Sequence, residues 1–164
     1  MSNRRRAREI VLQLLYEADL NQPREVTSAR QFIISRLQGR TALTNFAESL
    51  YRGTLDHRQE VDQHLARLAK GWSVQRMPAT DRNVMRMAGF EILFSETPGP
   101  VAVAEAVVLI KRYGDKNSPR FVNGILDRLL KEHQSGTLPA TSTATESAPI
   151  GDGNREAMPP SNPA

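Results

Sequence analysis

The chain has no cysteine among its 164 residues, which excludes disulfide stapling and zinc–thiolate sites and suits a reducing compartment. No apolar run approaches the roughly 20 residues that a membrane-spanning helix requires. The N-terminus follows its arginines with an interrupted, amphipathic pattern rather than a signal-peptide core, so the protein reads as cytoplasmic. The glycines never cluster into a phosphate-binding loop, no alternating strand pattern appears, and no stretch repeats at a period of roughly 20 to 50 residues. No enzyme motif is present, and no cofactor is expected.

What is present is helical periodicity and arginine. The net charge is +4, but residues 134 to 164 contain only Arg155 against Glu146, Asp152 and Glu156, so residues 1 to 133 carry +6. Eighteen of the 22 basic residues are arginine, whose planar fork suits phosphate and stacks on bases, so a polyanionic partner is plausible. Residues 134 to 164 hold five of the ten prolines and no aromatic residue, too little to bury, and read as a disordered tail after one folded domain over residues 1 to 133.

Residues 80 to 94, TDRNVMRMAGFEILF, form the expected central helix. Its apolar positions cover so much of a helical wheel that no clean solvent stripe remains, and the other helices should wrap it. Thr80 is the expected cap, with Asp81 on the positive end of the dipole. Ala7, Ile10, Val11, Leu14, Leu15 and Ala18 place a first helix from residue 2 or 3 to about Leu20. Its first turns hold Arg4, Arg5, Arg6 and Arg8, where the dipole disfavours each exposed cation by ~0.3 to 1 kcal/mol. Stability alone would not place them there. With Tyr16 near Arg5 on the wheel, they read as a basic strip with an aromatic ring for nucleic acid.

A second helix carries Ala29, Phe32, Ile33 and Leu37 to a stop at Gly39. Residues 42 to 69 then make one long helix or two in tandem, with Gly53 permitting close packing. Asp56, His57, Glu60 and His64 lack the two-histidine spacing of a zinc-protease helix and read as a solvated face without metal. Trp72 reads as a core plug. After the Pro98–Gly99–Pro100 break comes a helix over residues 101 to 113, then a loop of Asp115, Lys116 and Asn117. Ser118 and Pro119 cap and open the last helix. Phe121, beside Arg120 and Lys116, is either a first-turn core residue or a ring presented with two cations.

Three segments, RRRAREIVLQLLYEAD, GWSVQRMPATDRNVMRMAGFEILF and VAVAEAVVLIKRYGDKNSPRFVNGILDRL, closely resemble the NusB transcription antitermination family in order and separation, with FVNGILD the most specific. The likeness covers roughly residues 3 to 131. It implies an all-α fold of about seven helices in two packed bundles, and binding to boxA RNA of ribosomal RNA leader transcripts together with NusE, a small-subunit ribosomal protein, so that RNA polymerase ignores terminators. By motif, Arg4, Arg5, Arg6, Arg8 and Tyr16 match the family's RNA-binding arm, and Lys116, Asn117, Arg120 and Phe121 match its second RNA-contacting group. Asp81, Arg82 and Met85 resemble the NusE-facing side. Ala104 and Pro119 depart from the usual residues, and the tail has no counterpart in short members. The same exposed surface would serve either NusE or a homodimer. The rival reading is a basic helical protein–protein adaptor without specific RNA affinity; a methyltransferase-linked module would require a cofactor-binding domain that the sequence lacks.

Overall fold

The computed structural model describes residues 3 to 141, and every regular element in them is helical. The helices are α1 (Asn3–Leu20), α2 (Val26–Arg36), α3 (Thr41–Asp56), α4 (Arg58–Leu68), α5 (Ala79–Phe94), α6 (Gly99–Tyr113) and α7 (Ser118–Ser135), with a 3-10 turn at Val74–Arg76. Helices α1 to α3 form one bundle and α4 to α7 the other. One continuous core joins them because α5 packs against α1, α3, α4, α6 and α7.

The centrality of α5 follows from its sequence: positions 83 to 89 are all buried, without a solvent-facing stripe. Its start differs from expectation. Pro78 is the N-cap, Thr80 lies within the first turn, and no side chain caps the helix. Proline supplies an extended backbone ahead of the helix and does not itself need an N–H partner there. Residues 42 to 69 form two helices in tandem, and the α3–α4 break falls at His57. The His57 ring stacks on Phe94 at 4.0 Å and lies 5.6 Å from Phe90. Gly53 stays helical because Phe90 needs its space: a Cβ there would come within 2.1 Å of the Phe90 ring.

The face read as solvated is not so throughout. His64 is buried, beside Arg67, which also grips Glu132 of α7 at 2.9 Å. Burial and the Arg67 charge both hold the His64 pKa down. Among the described residues, no group of three histidine or carboxylate side chains could hold a metal ion, and no helix is long and apolar enough to cross a membrane.

Charges inside the core lock α1 to α5. Arg8, 3% exposed, forms a bidentate pair with Glu91, both bonds 2.8 Å. Toward the other end of α1, Asp19 accepts from Arg82 Nε at 2.9 Å and Arg86 at 3.3 Å, and Arg86 also clasps Asp62 of α4 at 2.7 and 2.8 Å. Burial works to raise the Asp19 pKa, but hydrogen bonds from Arg82 and Asn83 and the two arginine charges hold it below the usual range. Its contribution is therefore present above the unfolded carboxylate pKa and lost as pH falls through the folded value. Arg8→Ala should cost about 3 to 5 kcal/mol in chemical denaturation, because Glu91 is left charged and buried; Arg8→Met with Glu91→Leu should cost far less.

The domain boundary expected at His133 falls inside α7, which continues to Ser135 and ends on Gly136 in the left-handed region (φ 70°). Thr137 N–H donates to Glu132 C=O at 3.0 Å and Gly136 N–H to His133 C=O at 3.4 Å, the Schellman pattern. Leu138 then packs back on the core. The remainder of the expected tail, residues 142 to 164, lies outside the described residues. Ending the chain after residue 133 should therefore cost about 1 to 2 kcal/mol through loss of the cap and Leu138, whereas ending it after residue 141 should change stability by less than ~0.5. Paired thermal melts distinguish the two.

Candidate nucleic-acid interface

The arginine arm is largely spoken for by the protein's own acids. Arg5 makes a bidentate pair with Glu105 of α6 at 3.0 and 3.1 Å, Arg6 reaches Glu9 at 3.1 Å, and Arg8 is buried on Glu91. Arg4 lies over the Phe46 ring at 4.6 Å. The four cations against the helix dipole thus have a structural explanation that the sequence pattern hid. Arg8 is a core residue and cannot meet a ligand phosphate. Arg4 and Arg6 stay exposed and Arg5 partly so, and Arg112 at the end of α6 joins Arg6 on Glu9.

Tyr16 is 42% exposed and lines a cleft of about 260 Å³ with Arg6, Glu9, Leu12, Gln13, Thr80 and Tyr113. On the helical wheel Tyr16 approaches Arg5, but Arg5 is turned to Glu105, and Arg6 shares the cleft instead. The cleft brings α1, the first turn of α5 and the end of α6 together and adds Tyr113 to the face, with Arg112 joined to it through Glu9. Sequence reasoning left both out. Their signal was faint: each is an ordinary last-turn residue of a helix, and only the packing of α6 on α1 aims them here.

The second group begins three residues beyond Tyr113, at Lys116. Asp115 ties the loop: its carboxylate accepts from the backbone N–H of Asn117 at 2.9 Å and of Ser118 at 3.1 Å, while Ser118 Oγ accepts from Asp115 N–H at 3.1 Å. The N-cap is Asn117, with Ser118 already helical and buried. This knot holds Lys116, Asn117 and Arg120 outward, all exposed, and no acidic side chain among the described residues pairs with Lys116 or Arg120. Phe121 is half-buried, packed on the core with one side and on Trp72 with the other, its ring centroid 6.2 Å away. It belongs wholly neither to the core nor to the surface. Trp72 is 56% exposed and is not a core plug.

The NusB family profile matches residues 5–131. The chain belongs to the NusB family. The curated relatives that it matches are transcription antitermination proteins. The transcription antitermination protein NusB of Trichlorobacter lovleyi is 43% identical over 130 residues, covering 79% of this chain and 91% of that protein. The crystal structure of T. maritima NusB superposes with TM-score 0.71 at 34% identity, covering 79% and 92% of the two chains. A structure of the antitermination factors NusB and NusE in complex with dsRNA matches with TM-score 0.66 at 23% identity, over 80% of this chain and 98% of that one, a likeness of fold. The seven-helix NusB fold expected from the motifs is the fold observed.

The three residues matched to the NusE-facing side occupy different depths. Met85 and Asp81 are buried, and Arg82, half-buried, donates to Asp19 and to the carbonyls of Val74, Gln75 and Met77. Asp81 sits under the α6–α7 loop with Oδ1 buried and unpartnered. Burial pushes its carboxyl up, a hydrogen bond from Ser118 pulls it down, and the Asp115 charge adds to the rise. A carboxyl whose folded pKa exceeds its unfolded one costs stability as pH rises through that interval and is neutral below it. Asp81→Asn should therefore match the wild type in acid and gain an advantage in melting temperature that grows through the carboxylate range and then levels off.

Proposed function

We propose that this protein binds single-stranded boxA RNA of ribosomal RNA leader transcripts through the face made by Arg4, Arg5, Arg6 and Tyr16 of α1 and by Lys116, Asn117, Arg120 and Phe121 at the head of α7. It does so in the cytoplasm together with NusE, and the complex joins RNA polymerase to carry it past terminators. The observation that carries the reading is the placement of Lys116 and Arg120 beside a half-exposed phenylalanine without acidic partners. Single strands are bound by cations that track phosphates and by rings on which bases stack. The Tyr16–Tyr113 cleft supplies further rings next to the arginines. Arg8 has no part in the contact; its role is to hold α1 in place.

Asp81, Arg82 and Met85 support the NusE side by shaping it, with contact made by the surface above them. A second copy of the chain would compete with NusE for that surface.

Two tests follow from the distribution of charge. Each phosphate neutralised on a single strand contributes about 0.7 to the slope of log affinity against log salt. Lys116→Ala with Arg120→Ala should lower that slope by about 1 to 1.5 for boxA and scrambled RNA alike, whereas Arg5→Ala should lower it less, because Glu105 already neutralises Arg5. Fluorescence anisotropy across a salt series measures both. An adaptor without RNA affinity would show neither a slope nor a preference for boxA.

A further inference from the structure

Trp72 is the chain's single tryptophan, and more than half of it faces solvent. It stands where Gly71 (φ 85°) turns the chain from α4 into the 3-10 turn. Its ring meets Phe121 at 6.2 Å and 59°, within the range of attractive aromatic pairs. The two rings come from sequence positions 49 apart, by the numbering, and are held together by α7 passing the end of α4, where Arg128 donates to Leu68 C=O at 3.3 Å. Beside Trp72 is a shallow depression lined by Gly71, Ser73 and Arg76.

Charge decides what would cover this pair. Arg76 lines the depression, Lys116 and Arg120 precede Phe121, and none of the three pairs with an acidic side chain among the described residues. Most arginines of α1 and α5, by contrast, are matched to carboxylates. A protein partner would be expected to find a desolvated centre depleted of charge. An exposed ring paired with a half-buried one, with unmatched cations close by in the chain, suits instead a flexible polyanion with flat faces.

We propose that Trp72 is a base-stacking residue, and that with Phe121 it forms a two-ring platform taking successive nucleotides of single-stranded RNA, with Arg76 toward the backbone phosphate. This rests on the RNA-binding reading above and extends its footprint from the head of α7 to the α4–α5 connection.

Because the tryptophan is unique, its emission reports on the platform directly. The full chain would be titrated with a single-stranded boxA RNA carrying a distant dye, reading dye anisotropy for binding and Trp72 emission for stacking. Quenching that saturates with the anisotropy is expected. Trp72→Ala should weaken binding about 5- to 100-fold, Trp72→Phe should recover most of the loss, and both should melt with the wild type since the ring is exposed. If RNA binds by anisotropy while emission is unchanged and Trp72→Ala binds normally, the platform is wrong and the RNA-binding reading stands. If no RNA binds, both fall. If NusE, and not RNA, changes Trp72 emission, the pair is a protein contact and the proposal is overturned.

Discussion

Arg8 and Glu91 meet inside the core as a doubly hydrogen-bonded ion pair, both side chains almost fully out of water. Such a pair gives little net stability over a well-packed apolar alternative, because desolvating two charges costs several kcal/mol. Its leverage is positional. An arginine fork accepts a carboxylate in few orientations, so Glu91 fixes the rotation of α1 about its own axis. Asp19, held by Arg82 and Arg86 three turns further on, fixes the other end. With both ends set on α5, Arg4 and Arg6 must point outward and Tyr16 must line the cleft over Thr80.

The same helix carries the constraint across the molecule. Arg86 reaches α4 through Asp62, and Asp81, in the first turn of α5, underlies the loop that turns Lys116 and Arg120 outward. The two basic groups, about a hundred residues apart in sequence, are therefore referred to one rigid element. Preorganisation of this kind reduces the entropy that binding must offset. The buried, unpartnered oxygen of Asp81 is a cost accepted at the point where that loop is supported.

Much of this was legible in the sequence wherever the determinant was local. The apolar spacing of residues 7 to 18 placed α1, the unbroken apolar wheel of residues 84 to 94 placed α5 at the centre, and the motifs through FVNGILD pointed to the family. Misreadings came from pairings across long separations. Glu91 is 83 residues from Arg8 and Glu105 is 100 from Arg5, so nothing near these two arginines announced that they were already matched; only Arg6 has its partner, Glu9, close by in the chain. The α3–α4 break was ambiguous for the same reason: Gly53 gives the close packing expected of it, to Phe90, while His57, where the break falls, looks solvated until it is found on Phe94. Trp72 was read as core because size favours burial, yet a tryptophan at a left-handed glycine turn is held at the surface by its backbone.

The matching of charges changes how an arginine-rich chain should be read. Counting cations gives +6 for residues 1 to 133 but says nothing of where the excess lies. Once each arginine is set against its carboxylate, the arm contributes less than its four arginines suggest: one is buried, two are paired, and one leans on Phe46. Among the described residues, cations without a carboxylate remain at several places, Arg36, Arg40, Arg58 and Lys111 among them; Lys116, Arg120 and Arg76, at the head of α7 and the 3-10 turn, are the ones that lie close in the chain to the half-buried Phe121 and the exposed Trp72. Coulomb attraction to a phosphate is strongest where no internal carboxylate competes for the cation. The weight of RNA binding on this face should therefore fall toward Phe121, with the arm guiding the strand from one side.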